Sequence, residues 1–169
     1  MVKTRKIIEK IIGIILILWG GSYLFFFIWG QYILLEHTLP LLNISWDDLS
    51  ILKAIKNYHS LIIYLLSMFA GLTLILNKRV GWSTSLIVSI TSVIIIIRGL
   101  IFLLTNHTEV IDKDQIYLYL FLGVFLIIFI LILIFLTNKK TIIRYNPNKT
   151  TWWFIVVFVG IIFLDRLFL

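Results

Sequence analysis

Residues 82–104 read WSTSLIVSITSVIIIIRGLIFLL, and this run decides the fold class of the chain. It carries one charged side chain, Arg98, among residues that are otherwise apolar, small or hydroxyl-bearing. About 20 predominantly apolar residues, each rising about 1.5 Å in an α-helix, are enough to cross the hydrocarbon core of a bilayer. The sequence therefore predicts a transmembrane helix over 82–104, with a charge far from both ends of the apolar run.

The whole chain has the composition of a membrane protein. Of its 169 residues, 61% are hydrophobic and 14% are charged. Soluble domains are about 45–50% apolar and about 25% charged. A soluble chain of this length could not bury so much Ile, Leu and Phe. The composition predicts an all-α integral membrane protein in which residues 1–169 form a single polytopic domain.

Five apolar runs predict a bundle of five transmembrane helices. The predicted spans are 7–35, 58–76, 82–104, 115–136 and 152–169. Before the second span, Trp46, Leu49, Leu52 and Ile55 recur every three residues, a spacing typical of a short amphipathic helix. That helix either lies along the membrane interface or runs directly into the second span.

The distribution of charge predicts a cytoplasmic amino terminus and a carboxyl terminus outside. Ten Lys or Arg residues lie in three segments: four in 1–10, two in the 77–81 turn and four in a basic loop over 137–151. Only three lie in 36–57 and 105–114, which also hold six of the eight acidic residues. Cytoplasmic loops are enriched in Lys and Arg, so the opposite orientation would break this rule at every loop. Abundant Ile, Asn and Lys favour a bacterial host, and therefore a bacterial cytoplasmic membrane.

A polar stripe follows the third span. Ser85, Ser89, Ser92 and Gly99 are separated by four, three and seven residues and share one helix face, and Thr91 lies on the adjacent stripe. Small and hydroxyl-bearing residues let transmembrane helices approach closely and form interhelical hydrogen bonds. The stripe therefore predicts a helix-packing face. A hydrated path lined by hydroxyl groups is the alternative.

Arg98 is expected to have a partner inside the membrane. On insertion scales a charge at mid-membrane costs about 2.5–3.5 kcal/mol, so pairing is favoured. Asp165 lies 13 residues after Trp152 and Arg98 lies 16 residues after Trp82, which places both at similar depth in their spans. We predict an Arg98–Asp165 ion pair. Snorkelling of Arg98 to the interface is the alternative.

Two pairs of small residues mark further packing faces. Gly13 and Gly20 are seven residues apart on the first span, and Ser67 and Gly71 are four apart on the second. Such spacings place both members on one helix face, where a neighbouring helix can approach closely. Glycines facing lipid are the alternative for the first pair. The short 77–81 turn predicts that the second and third spans are antiparallel neighbours.

The sequence offers no catalytic, metal or cofactor motif. The absence of Cys excludes thiolate metal sites and thiol catalysis, and no phosphate-binding loop, nucleophile elbow or metalloprotease motif is present. His37, His59 and His107 fall on the predicted outer face without ligand spacing on one helix, so no metal site is predicted. The net charge of +7 is concentrated in the predicted cytoplasmic loops and predicts no nucleic-acid binding.

These features favour a non-enzymatic membrane protein. The leading hypothesis is a small subunit or scaffold of a membrane complex, which uses helix packing and has the lipid bilayer, copies of itself or other membrane proteins as partners. One alternative is a channel or transporter-like protein in which Arg98 and the hydroxyl groups of the third span line a polar path. The other is a membrane-embedded enzyme with a His/acid site at its outer face.

Overall fold

The computed structural model describes residues 2–33, 51–105 and 113–168, with side chains described at 4–30, 61–105 and 116–162. Every regular element in these ranges is helical. The elements are α1 (Val2–Ile33), α2 (Ile51–Ile75), α3 (Arg79–Thr105), α4 (Lys113–Thr137), α5 (Lys139–Tyr145) and α6 (Lys149–Phe168). The prediction of an all-α chain is confirmed for the described residues.

Three of these helices contain segments long and apolar enough to cross a membrane. The segments are Thr4–Gly30 of α1, Arg79–Thr105 of α3 and Ile116–Thr137 of α4. The apolar parts of α2 and α6, Leu61–Ile75 and Lys149–Ile162, are shorter within the described side chains. The chain is therefore an integral membrane protein built from helices.

The first two helices extend beyond the predicted spans. α1 already includes most of the basic amino-terminal flank, because Lys, Arg and Glu are good helix formers. α2 is continuous from Ile51 to Ile75. Residues 51–57 therefore run directly into the second predicted span, and a separate interfacial helix over them is wrong. The rest of that predicted amphipathic segment, 46–50, lies outside the described residues.

The basic loop predicted over 137–151 is also wrong, because half of it is the helix α5. Asn138 starts this helix, with its side-chain oxygen accepting a hydrogen bond from the backbone N–H of Lys140 at 3.1 Å. Asn146 ends it in the left-handed conformation, with φ 42°, and its N–H donates to the carbonyl of Ile142. Two asparagines thus define a seven-residue helix.

The segment Asn146-Pro147-Asn148 separates α5 from α6. Asn148 caps α6, because its side-chain oxygen accepts hydrogen bonds from the Thr151 N–H at 2.8 Å and from the Thr151 hydroxyl at 2.7 Å. Local hydrogen bonds therefore cap the first turn of α5 and the first turn of α6, the two helix starts that follow α4.

The chain divides into two compact units, Met1–Ser85 and Leu86–Phe168. α3 contributes its first turns to the first unit and the rest of its length to the second. Each unit has its own buried side chains. In the first they include Ile12, Leu16, Ile63, Ala70 and Leu74, and in the second Ile96, Phe129, Ile132, Leu136 and Tyr145. The single membrane domain over 1–169 stays a prediction.

In the first unit, the end of α2 turns directly into α3. Asn77 takes the left-handed conformation, with φ 55°, and its N–H donates to the carbonyl of Leu74 at 3.0 Å. The N–H of Lys78 donates to the carbonyl of Thr73 at 3.0 Å. This is a Schellman cap with Asn at the position that glycine usually occupies. The expected antiparallel neighbours, α2 and the start of α3, are confirmed by this turn and by the contacts described below.

Candidate functional site

The interface between α1 and α2 brings the two predicted pairs of small residues together. A Cβ added at Gly20 would lie 2.5 Å from the carbonyl oxygen of Tyr64, and one added at Gly13 would lie 2.7 Å from that of Gly71. Only residues without a side chain permit such a close approach of two helix backbones. The prediction that these glycines face a neighbouring helix is confirmed.

Ser67 adds a hydrogen bond across the same interface. Its hydroxyl donates to the carbonyl oxygen of Leu16 at 2.8 Å, and both residues are fully buried. Closer to the carboxyl end of α1, the rings of Tyr23 and Tyr64 stack with their centroids 5.0 Å apart. Interhelical hydrogen bonds in membrane proteins contribute about 0.6 kcal/mol on average, so close packing accounts for most of the stability of this pair.

Glu9 is a buried residue of α1 that the sequence patterns above did not single out. Its side chain is only 1% exposed. Glu9, Gly13, Leu16 and Gly20 are spaced by four, three and four residues, so Glu9 belongs to the face of α1 that packs against α2. That spacing was a usable signal, since it extends the glycine face by one turn.

Near its start, α3 has a stretch that is buried on every side. Residues 81–89 are all buried, as expected for a helix stretch whose apolar and small residues point in all directions. The hydroxyl of Ser85 donates to the carbonyl oxygen of Ala70 on α2 at 3.4 Å. Gly81 lies directly against the backbone of Thr73 and Leu74. These contacts join α3 to α2 at the start of the predicted polar stripe.

The other members of the stripe lie further along α3. Ser89, Thr91 and Ser92 are buried, and Gly99 is half-buried, with its added Cβ 3.9 Å from a methyl group of Leu122. The hydroxyl of Thr91 is buried and has no hydrogen-bond partner among the described residues. The function of the stripe as a packing face stays a prediction.

Arg98 lies on the exposed side of α3 in the second unit. Asp165, its predicted partner, has a side chain outside the described residues, so the ion pair stays a prediction. The histidines predicted at the outer face, His37, His59 and His107, also fall outside the described side chains. Within the described residues, no group of three His, Cys, Asp or Glu side chains comes together.

A basic and aromatic surface covers the connection between α4 and α6. The side chains of Lys139, Lys140 and Lys149 are exposed, and the guanidinium carbon of Arg144 lies 5.6 Å from the ring centroid of Tyr145. Trp153, the fifth residue of α6, is 69% exposed. Sequence analysis found these cations but not the helix that displays them.

The second unit also contains an apolar groove. It has a volume of about 360 Å³ and is formed by α3 and α6, with the lining residues Ile90, Ile94, Ile155, Val156, Val159 and Gly160. No lining residue carries a polar side chain. Such a groove accepts hydrocarbon and offers no hydrogen bond to a polar ligand.

The fold and these surfaces define the class of the protein as a helical integral membrane protein. Comparison of the chain with protein-family models, with curated proteins and with solved structures gives no match.

Proposed function

We propose that this chain is a small non-enzymatic membrane protein that acts as a subunit or scaffold of a membrane complex through helix–helix packing. Its partners are copies of itself or other membrane proteins, and its location is the bacterial cytoplasmic membrane. The observation that carries the proposal is the use of small and hydroxyl-bearing residues at helix contacts, as in the Ser67–Leu16 hydrogen bond.

Hydroxyl groups elsewhere in the described helices support the same interpretation. Thr73, Thr84 and Thr137 donate to carbonyl oxygens four residues earlier in their own helices, at 2.7 Å in each case. Ser85 donates to α2. A polar path needs hydroxyl groups that face an open channel, whereas these groups bond to helix backbone. The Ser85 contact supports packing, and the three threonine hydroxyl groups are satisfied within their own helices.

The apolar surface of α4 supplies a face for assembly. Val124, Ile127 and Leu131 are spaced by three and four residues and are all exposed. Lipid tails are as apolar as these side chains, so association here depends on shape and not on the hydrophobic effect. We propose this face of α4 as the first place to look for a contact with another chain.

Cysteine crosslinking tests assembly cleanly, because the chain has no Cys of its own. Single variants Val124→Cys, Ile127→Cys and Leu131→Cys are expected to give crosslinked adducts in native membranes. The matched variant Phe129→Cys is expected to give none, since Phe129 is fully buried. Mass analysis of the adducts distinguishes a second copy from another protein.

Two outcomes would contradict the assembly proposal. One is the absence of adducts at every exposed position of α4 and α6. The other is an ion flux in liposomes that contain the purified chain and that is lost in Arg98→Ala, which would support the polar-path alternative.

We further propose five spans with a cytoplasmic amino terminus and an outer carboxyl terminus, supported by the charge distribution. In intact cells a membrane-impermeant maleimide is expected to label Thr108→Cys and Leu169→Cys. It is expected to label Lys140→Cys only after the membrane is permeabilised. Labelling of Lys140→Cys in intact cells would show that the chain has the opposite orientation. Protection of Leu169→Cys would show that the chain does not cross the membrane a fifth time.

A further inference from the structure

We propose that the second unit holds a binding site for one anionic phospholipid. The headgroup lies on the basic connection between α4 and α6, and an acyl chain lies in the apolar groove between α3 and α6. The inference rests on the proposed membrane location of α6 but is independent of assembly with other chains.

The position of the cations fits a headgroup. The apolar segment of α4 ends at Thr137, and α5 begins two residues later. Residues 137–151 contain four Lys or Arg and no Asp or Glu. Because the membrane segment stops where the cations begin, they lie at the level of the lipid phosphates, which attract basic segments close to a membrane surface.

The structure of α5 makes this segment an amphipathic surface and not an extended basic loop. Thr141 and Tyr145 are buried on its protein side, whereas Ile143 is 66% exposed beside the neighbouring cations. Apolar side chains among cations are the pattern of helices that lie in the headgroup region. Trp153, the fifth residue of α6, is also exposed. Indole rings favour the headgroup region of a membrane.

One cation of the basic connection, Lys149, lies on the same face of α6 as two residues that line the groove. Lys149, Val156 and Gly160 are separated by seven and four residues and therefore share a helix face. Val156 lies about 10 Å along the helix from Lys149, at about 1.5 Å per residue. A lipid whose phosphate meets Lys149 would thus have its acyl chain at the level of Val156 and Gly160.

Charge identifies a phospholipid as the occupant in preference to a helix from a second copy. The groove itself is lined by aliphatic side chains and glycine only. Lys149, on the same face of α6, belongs to the basic surface. A transmembrane helix from a second copy of this chain would bring its own basic flank to the level of that surface. Like charges would then face each other, whereas an anionic headgroup neutralises them.

Native mass spectrometry of the delipidated full chain tests the site. The protein is incubated with equimolar dioleoyl phosphatidylglycerol and dioleoyl phosphatidylcholine, which differ only in the headgroup. We expect preferential retention of phosphatidylglycerol. Removing each cation should weaken its binding by about fivefold, so Lys139→Gln/Lys149→Gln should nearly abolish the preference. The control Lys78→Gln/Arg79→Gln removes the same charge at the α2–α3 turn and should leave the preference unchanged.

The groove has its own matched pair of variants. A Cβ added at Gly160 or at Gly123 meets nothing within 4 Å, so neither substitution forces a backbone clash. Gly160→Leu is expected to fill the groove and lower retention of both lipids severalfold without changing their ratio. Gly123→Leu, on α4, is expected to behave as wild type.

Three results would overturn the site. Equal retention of the two lipids by wild type would show that the headgroup does not contribute to binding. Equal effects of Gly160→Leu and Gly123→Leu would show that the groove does not hold an acyl chain. A dimer peak that is lost only in Gly160→Leu would identify a second copy as the occupant. Failure of the five-span topology is detected separately, because Leu169→Cys would then be protected from the maleimide in intact cells.

Discussion

Replacing Gly20 by leucine is expected to lower the free energy of unfolding by about 3 kcal/mol, the upper part of the usual range for overpacking. The added Cβ alone would lie 2.5 Å from the carbonyl oxygen of Tyr64 and 3.1 Å from the backbone nitrogen of Met68. Both are backbone atoms of α2, so no side-chain rotation can relieve the clash. The two helices must separate, and the contacts around Leu16 loosen with them.

Gly21→Leu is the matched control, because an added Cβ at Gly21 meets nothing within 4 Å. Both substitutions replace glycine by leucine in α1, so both gain the same helix propensity, about 0.8 kcal/mol. Reversible unfolding in mixed micelles with increasing sodium dodecyl sulfate, followed by circular dichroism, measures the difference. Equal midpoints for the two variants would show that the α1–α2 interface does not hold these helices together.

The α1–α2 contact could be predicted from the sequence because its signal is local. Two glycines seven residues apart, and a serine and a glycine four apart, are readable without knowing which helices meet. The turn from Asn77 to Gly81 then limits how α2 and α3 can be arranged. Spacing and loop length are properties of the chain alone. They predicted the packing faces of α1 and α2 and the neighbouring position of α2 and α3, but not that α1 packs against α2.

The helix α5 was not predictable in the same way. The helix has only seven residues, KKTIIRY, and five of them are charged or hydroxyl-bearing, so the segment shows no clear helical period. The helix depends on Asn138 and Asn146, and asparagine is equally common in turns. Only the packing of Thr141 and Tyr145 on the protein side distinguishes a capped helix from a loop.

The polar stripe of α3 shows where sequence reasoning stops. Their spacing placed Ser85, Ser89 and Ser92 on one helix face, but residues 81–89 of α3 are buried on all sides. A period cannot identify a single packing face where every face is buried. The depth of Arg98 along its helix could be predicted from the sequence. Its exposure could not, because it depends on which helices surround α3.

Gly81→Ala is expected to open the turn between α2 and α3 and to cost about 2–3 kcal/mol of unfolding free energy. Gly81 is buried, and an added Cβ would overlap the backbone of Thr73 and Leu74. The same two residues supply the carbonyls that accept from Lys78 and Asn77 in the Schellman cap. Any shift that relieves the overlap therefore also strains the hydrogen bonds that end α2.

Gly99→Ala serves as the control for Gly81→Ala on the same helix. Its added Cβ would lie 3.9 Å from the nearest atom, an ordinary van der Waals contact. Replacing glycine by alanine inside a helix stabilises it by about 0.5–1 kcal/mol, so Gly99→Ala should unfold at a higher detergent concentration than wild type. The two variants are thus expected to shift the midpoint in opposite directions. A shift in the same direction for both would mean that helix propensity, and not the approach of α3 to the end of α2, decides the effect at Gly81.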